Sequence, residues 1–435
     1  MAPSADGIDK ATDFSLDQLV LIGTSGTPVD IRQIVYELNL SEDLFGNTMS
    51  GAILINDTQN LINILPIIGM EFLVVTVSKP SSPWKLDKVF RVYKITDRKK
   101  LSSGSESYIL HFCSEEAILS ESQKISKSYK GQTVSSIIKD VCSTFLKIDS
   151  KKFPSTAITE TQGNFDVVIP YWTPFYTINW LSRMARTAQA PGCSFVFFED
   201  SEGYHFSSIE LLSQQEPLQS INFGPMNFHG EKNEKSDTEL RYEGAYTFEL
   251  VSSPDMIRSF GTGAYSGKLT MIDLLSQKIS VSSVNAASLF AQTKHTNPYN
   301  YIHMGQDRTK LPVTEHHDAF FRVAASFLKP DTWMIQRNSY LSGLHNFQLK
   351  IEIPGNMYMR VGQVVTVNLP SGAITSKDEK PIDDVYSGNY LITAINHKID
   401  RTKYTCTIEL SKDSVKVGMP SPVGTNQAVN KVREL

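Results

Sequence analysis

Gly69, then Val74-Val75-Thr76-Val77, then Phe90-x-Val92-x-x-Ile95-x-Asp97-Arg98 and Tyr108-Ile109-Leu110-x-Phe112 form a stretch that returns near the end of the chain. The second copy reads Gly362, Val364-Val365-Thr366-Val367, Tyr390-x-Ile392-x-x-Ile395-x-His397-Lys398 and Tyr404-x-Cys406-x-Ile408. The order is the same and so is the local spacing within the strands, and only the loops differ. Self-similarity of this kind indicates one structural unit used twice. The runs are β-branched and alternate with a period of two, which is the pattern of half-buried strands. A ring built from chains that each carry such a unit twice gains a pseudo-symmetry higher than its number of chains.

Upstream of the first copy the text stays strand-like from Phe14 to about Glu116. Leu19-Val20-Leu21-Ile22 ends in a Gly23-Thr24-Ser25-Gly26 turn, residues 34–41 alternate, and Met49 to Ile55 is a further strand stopped by Asn56-Asp57. Asp57 to Leu65 predicts one short helix. Several strands at short spacing with a single crossing helix indicate a small β-barrel. The middle of the chain changes period. Val134, Ile137, Ile138, Val141 and Phe145 recur at helical spacing behind Thr133 as N-cap, and Pro174 to Ala188 predicts a second helix with Thr173 as its cap. Ser194 to Phe206 reads as a hairpin with an acidic turn, Glu199-Asp200-Ser201-Glu202-Gly203. Residues 255–312 read as long loops with strands, His317 to Leu328 as a third helix, and Met334 to Ile353 as a helix followed by a strand.

These signals give a mainly β fold with an α+β insertion. The expected order is a mobile N-terminus at 1–12, a first barrel at 13–116 and an α+β domain at 117–225 completed by about 255–312. A second barrel follows from 226–254 and 313–412, with a C-terminal tail at 413–435. The tail carries Pro420, Pro422 and Gly424 with few apolar anchors.

Bulk composition bounds the function. The chain has 435 residues, 40% hydrophobic and 20% charged, which is the range of a folded globular protein. A net charge of −4 disfavours binding to a phosphate backbone as a main task. No apolar run reaches the length of a membrane span, and the N-terminus lacks the pattern of a secretory signal. Cys113, Cys142, Cys193 and Cys406 have no metal-ligand spacing and read as buried free thiols from a reducing cytoplasm.

Three stretches carry a family resemblance. The first is Glu42-Asp43-Leu44-Phe45-x-x-x-Met49-Ser50-Gly51-x-Ile53-x-Ile55-x-Asp57, continuing to Leu65-Pro66-x-x-Gly69-x-Glu71. The second is Trp172-Thr173-Pro174-Phe175-x-x-Ile178-Asn179-Trp180-Leu181, followed by Phe197-Phe198-Glu199-x-x-x-Gly203-Tyr204-x-Phe206. The third is Ile353-Pro354-Gly355-Asn356, with Val361-Gly362-x-Val364 and Ser387-Gly388-Asn389-Tyr390-Leu391. Together these resemble the central baseplate hub protein of contractile-tailed bacteriophages, the family of the T4 tail hub, related to the hub part of type VI secretion spikes. The resemblance runs to about Ser411. It implies a homotrimer of chains with two related tube-type barrels, presenting six barrels in a ring. One face of that ring would meet the six-fold tail tube and the other the three-fold central spike. Baseplate wedge and tape-measure proteins are further implied partners, with DNA only in transit through a lumen that is polar and not strongly basic. The implied location is the virion tail, after synthesis in the host cytoplasm. The hub of a tailocin or another contractile injection system is the alternative, and a cell-wall hydrolase is a more distant one.

No residue is assigned a catalytic, cofactor-binding or metal-binding role. Glu315-His316-His317-Asp318 reads as a solvated helix start, since adjacent histidines point to different faces. His295 and His303 have no matching carboxylate or cysteine nearby in sequence. Glu199-Asp200-Ser201-Glu202 lacks the spacing of a calcium loop and reads as a solvated hairpin tip. Gly261-Thr262-Gly263 reads as a flexible loop, Arg98-Lys99-Lys100 as a solvated loop, and Trp172 to Trp180 as core of the α+β domain. The barrel walls are assigned to Val74, Val75, Val77, Val92 and Ile95, with Val364, Val365, Val367, Ile392 and Ile395. Val365→Asp is expected to unfold the second barrel.

Overall fold

The computed structural model describes residues 14–23, 26–65, 67–78, 85–102, 104–149, 151–154, 157–188, 192–223, 244–273, 276–301, 318–323, 329–371 and 382–418. The first repeat copy folds as its alternation predicts. Leu73, Val75 and Val77 are fully buried on one face, while Phe72 is exposed on the other. The strands of this part are β1 (Ser15–Ile22), β2 (Pro28–Asp30), β3 (Val35–Asp43), β4 (Ser50–Asp57), β5 (Phe72–Ser78), β6 (Lys85–Ser102) and β7 (Ser105–Ser114). They pair antiparallel in the order β3-β4-β7-β6-β5-β1-β2. The expected helix shrinks to a single turn, Leu61–Ile64. The Asp57 carboxylate holds its entry by accepting from the backbone N–H groups of Gln59 and Ile62.

The inserted α+β domain carries β8 (Ile125–Gln132) paired with β9 (Phe165–Trp172), and β10 (Phe195–Glu199) paired with β11 (Tyr204–Ser208). Its two main helices are Val134–Thr144 and Pro174–Met184. Thr133 caps the first through the Ser136 N–H, as expected. Thr173 makes no side-chain cap bond, and the second helix stops before Ala185, which is extended. Trp172 and Trp180 meet edge to face at 5.3 Å against this domain's own core.

The second repeat copy lies in β18 (Phe347–Pro354), β19 (Val364–Asn368), β20 (Gly388–Asp400) and β21 (Tyr404–Lys412). Before it come β12 (Ser220–Phe223), β13 (Gly244–Ala245) and β14 (Thr247–Ser252). A separate three-stranded sheet is made of β15 (Ser266–Asp273), β16 (Lys278–Asn285) and β17 (Asp318–Val323). The chain of pairings β14-β18-β21-β20-β19 matches β3-β4-β7-β6-β5 strand for strand. Both middle strands bulge at one corresponding place, between Val92 and Lys94 and between Ile392 and Ala394. Both units open on an acceptor turn: Glu71 accepts from the Ile68 N–H, and Gln363 from the Arg360 N–H.

Strand pairing sets the two units in a different register from the sequence pattern. Leu73 faces Phe90 where Val365 faces Tyr390, and Leu110 faces Ile95 where Ile408 faces Ile395. The sequence pattern matches Val75 to Val365 and Leu110 to Cys406, so both flanking strands are slipped by two. A slip of two keeps every side chain on its face, which is why the pattern cannot register it.

Among the described residues fourteen strands join into one sheet, because β20 of the second unit also pairs antiparallel with β3 of the first. One apolar core spans both units and takes in Val196, Phe198 and Ile209 of the insertion. Other local expectations fail here. Asp318–Val323 is a strand parallel to β15, so the helical spacing of Phe320, Phe321 and Val323 yields to pairing of β-prone residues; Glu315, His316, His317 and His303 lie outside the described residues. Gly261 sits within a helix, Met256–Thr262, which Gly263 closes with φ 76°. Arg98, Lys99 and Lys100 belong to β6, whose hairpin with β7 runs on to Ser102. Asp413, Ser414 and Val415 are buried, so the chain stays packed past the expected start of the tail.

Candidate assembly site

The β3–β20 joint is the contact that makes two units one sheet. It runs from Ala394 opposite Asp43 to Asp400 opposite Glu37. Side chains fix this register. Ser41 Oγ donates to Asn396 Oδ1 at 3.0 Å, Asn396 Nδ2 donates to Asn39 Oδ1 at 3.2 Å, and Lys398 Nζ reaches Glu37 Oε2 at 3.0 Å. At one end the Leu44 N–H donates to the Thr393 carbonyl at 2.9 Å, at the bulge. At the other, Arg401 Nε donates to the Val35 carbonyl at 3.2 Å. Burial works against the Glu37 carboxylate, but its bonds from Asn39 and Lys398 hold it below the ordinary range.

A second contact ties the insertion to both units. The acidic turn expected at the hairpin tip in solvent is buried, with Glu199 and Asp200 only 5% and 3% exposed. Glu199 takes an ion pair from Lys88 at 2.8 Å, the Ser114 hydroxyl at 2.5 Å and the Met49 N–H at 2.9 Å, all from the first unit. Asp200 Oδ2 lies 2.9 Å from His205 Nε2, and Asp200 accepts from the Glu202 and Gly203 N–H groups, closing the turn. Arg360, at the entry to the second unit, reaches Glu202. Glu42 sits between the three parts, accepting from the Ser201 N–H at 2.9 Å and the Val361 N–H at 3.2 Å. Burial, with the charge of Asp200 beside it, raises the Glu42 carboxyl to about 8. These carboxyl groups take bonds from all three parts, so the cluster fastens them together.

A hydroxyl–imidazole–carboxylate line occurs once among the described residues. Thr293 Oγ1 lies 2.8 Å from His295 Nε2, and His295 Nδ1 lies 2.6 Å from Asp413 Oδ2. The matching carboxylate missing near His295 in sequence is therefore Asp413, distant along the chain. The Thr293 hydroxyl also lies 3.0 Å from the Leu289 carbonyl. The hydroxyl carries one proton for two acceptors, the Leu289 carbonyl and the His295 ring, and the ring's tautomer decides between them. Phe290 stacks on the imidazole at 3.8 Å, and Thr296 and Ser414 complete the bonds to Asp413. The arrangement fixes the end of the second unit. Among the described residues no group of three or more His, Cys, Asp or Glu side chains could hold a metal ion, and no helix is long and apolar enough to cross a membrane.

Of the barrel-wall residues assigned from sequence, Val75, Val77, Val92, Val364, Val365, Val367, Ile392 and Ile395 are buried; Val74 and Ile95 are only partly so. All four cysteines are buried and free. The Glu42–Glu199–Asp200 junction was missed as a site. The signal was present, since Glu42-Asp43 and Glu199 both stand in the stretches that carry the resemblance.

No family model matches the chain. A probable baseplate hub protein of Vibrio phage KVP40 is 21% identical over 402 residues, which is 88% of this chain and 91% of that one. The chain resembles phage baseplate hub proteins. Its fold is shared with a tail protein from Neisseria meningitidis MC58, at TM-score 0.54 and 11% identity over 91% of this chain and 96% of that one. It is shared equally with the 43 kDa tail protein of prophage MuSo2 from Shewanella oneidensis, at TM-score 0.55 and 11% identity over 92% and 99%.

Proposed function

We propose that this chain is the structural hub of a phage tail baseplate, acting through its interfaces and not as an enzyme. The observation that carries the reading is the β3–β20 joint, which sets two matching five-stranded units edge to edge in one sheet. An internal duplication accounts for the shared strand order, the shared bulge and the shared entry turn. Three copies would place six such units in a closed ring, so that a six-fold tail tube and a three-fold spike each meet a face of matching symmetry. A net charge of −4 suits a lumen through which DNA passes without being held. The buried junction at Glu42, Glu199 and Asp200 keeps the insertion at a fixed attitude to that ring.

The test is the mass of the purified protein in solution, followed by averaged negative-stain images of the same sample. A trimer with a central hole and a near-six-fold outline is the expected result. A monomer that fails to assemble even when tail-tube or spike protein is added would overturn the reading.

A further inference from the structure

The internal joint has a counterpart that no described strand fills. In β20, residues Gly388–Leu391 pair with β19, the Ile392 N–H donates to the Gln363 carbonyl, and Ala394–Asp400 then turn their free edge to β3. In β6 the same plan holds: Lys85–Arg91 pair with β5, and the Val92 N–H donates to the Glu71 carbonyl. From Tyr93 onward, β6 pairs with β7 on one side and with no described strand on the other. The counterpart of β3 is β14, which pairs with β18 alone among the described residues. So each unit owns one half of a joint that the chain makes only once among the described residues.

We infer that the Tyr93–Leu101 edge of β6 joins β14 of a second copy of this chain, antiparallel, in the register of the β3–β20 joint. This rests on the hub reading and specifies the contact that closes it. Transferring the internal register places Thr96 opposite Ser252, Lys99 opposite Glu249 and Lys100 opposite Phe248. Each strand carries one extra residue relative to the internal pair. In β6 it falls between Thr96 and Lys99, where Asp97 has φ 53°, and in β14 it is Val251. The two insertions fall at the same step of the ladder and cancel, so the residues on either side stay in register. Two unrelated edges would have no reason to bulge in step.

The side chains suit that partner. Lys99 would face Glu249, opposite charges directly across an antiparallel pair. Leu101 on one edge and Phe248, Leu250 and Val251 on the other are all exposed in the single chain. Bare strand edges are ordinarily blunted by charge or by cover, and a long one lined with apolar groups invites another strand.

The test is disulfide trapping in the full chain, with Lys99→Cys and Glu249→Cys introduced together. Both positions are exposed, and the four native cysteines are buried. Directly opposed residues lie within bridging distance, whereas a one-residue offset points the thiols to opposite faces. Under mild oxidation most of the protein should run as a covalent trimer on a non-reducing gel, and the offset pair, Lys99→Cys with Leu250→Cys, should stay unlinked. A native-mass trimer that gives no bridge, or bridges only through the offset pair, overturns this joint while leaving the hub reading standing. A protein that remains monomeric at every concentration, even with tail-tube or spike protein added, and forms neither bridge overturns the ring reading, and the joint with it.

Discussion

The two five-stranded units share strand order and one bulge, yet their outer faces differ. Phe72, Arg91 and Tyr93 of the first unit occupy the places of Val364, Leu391 and Thr393 in the second. Phe72 and Tyr93 are 37% and 50% exposed, whereas Val364 and Leu391 are 1% and 0% exposed. The difference lies in what covers them. The Leu218 N–H donates to the Val364 carbonyl, Gln215 Nε2 donates to the Gly362 carbonyl, and Phe198 and Leu212 lie against Gly362. The insertion thus dresses one unit and leaves the other bare. Residue choice follows cover: small aliphatic residues where a second layer packs, aromatic and charged ones where none does.

The largest expected effect tests that contrast directly. Val364→Asp buries an unpaired charge and should cost more than about 3 kcal/mol of unfolding free energy. Phe72→Asp, at the corresponding place, stays in reach of water and should cost about 1 kcal/mol or less in the isolated chain. Denaturant titration of both variants decides, and equal losses would break the difference between the two faces.

The insertion also grips the first unit, through a buried charge at Glu199. Lys88→Met leaves Glu199 facing only the Ser114 hydroxyl and the Met49 N–H. A buried carboxylate stripped of its cation costs about 3 kcal/mol, and adding Glu199→Gln should recover much of it. Thermal melts of the single and double variants measure this. A double variant no better than Lys88→Met would mean that the lysine acts through packing and not through its charge.

Two further groups separate the units by pH. Glu42, at the junction, has its carboxyl raised to about 8 in the folded chain, through burial and the nearby Asp200. The folded state then binds that proton more tightly than the unfolded one. Its contribution is complete below the ordinary 4.5 and is lost as pH rises through about 8. Lys412 behaves in the opposite sense. It ends β21 of the second unit and donates to the Val385 and Ser387 carbonyls, and burial lowers it to about 7 from an ordinary 10.5. Stability from that group is missing below about 7 and is gained as pH rises toward 10.5. Ser114 holds the corresponding place in the first unit and does not titrate. Glu42→Gln should therefore flatten the fall in unfolding free energy between pH 5 and 8 by on the order of 2 kcal/mol or more, and Lys412→Met should flatten the rise above pH 7. Unfolding curves measured across that range check both signs.

Much of this architecture is legible in the sequence because its cause is local. Val74-Val75-Thr76-Val77 and Val364-Val365-Thr366-Val367 announce matching strands through β-branched alternation, and Thr133 announces its helix through a capping bond three residues away. What escapes is set by contacts between distant parts. Glu199-Asp200 looks like a solvated turn until Lys88 and Ser114 close over it. Asp413 looks like the start of a tail until His295 reaches it. The two-residue slip between the copies is invisible because faces repeat with a period of two, and Asp318–Val323 reads as a helix until β15 supplies a strand to pair with.

The smallest expected effect bears on the two edges. Arg98 pairs with Glu106 at 2.8 Å on the free stretch of β6, with the arginine side chain half exposed. Lys398, in the corresponding stretch of β20, pairs with Glu37 across the closed joint at 3.0 Å. Water screens the first pair and leaves long side chains to be ordered, so Arg98→Ala should change the stability of the isolated chain by about 0.5 kcal/mol or less. Lys398→Ala removes a partner from a carboxylate that lies partly buried between two units, and its cost should be about 1 kcal/mol. Denaturant midpoints of the two variants, taken where the protein is monomeric, give the comparison. If Arg98→Ala proved as costly as Lys398→Ala, the β6 edge would already be closed within a single chain, and the difference between the two joints would vanish.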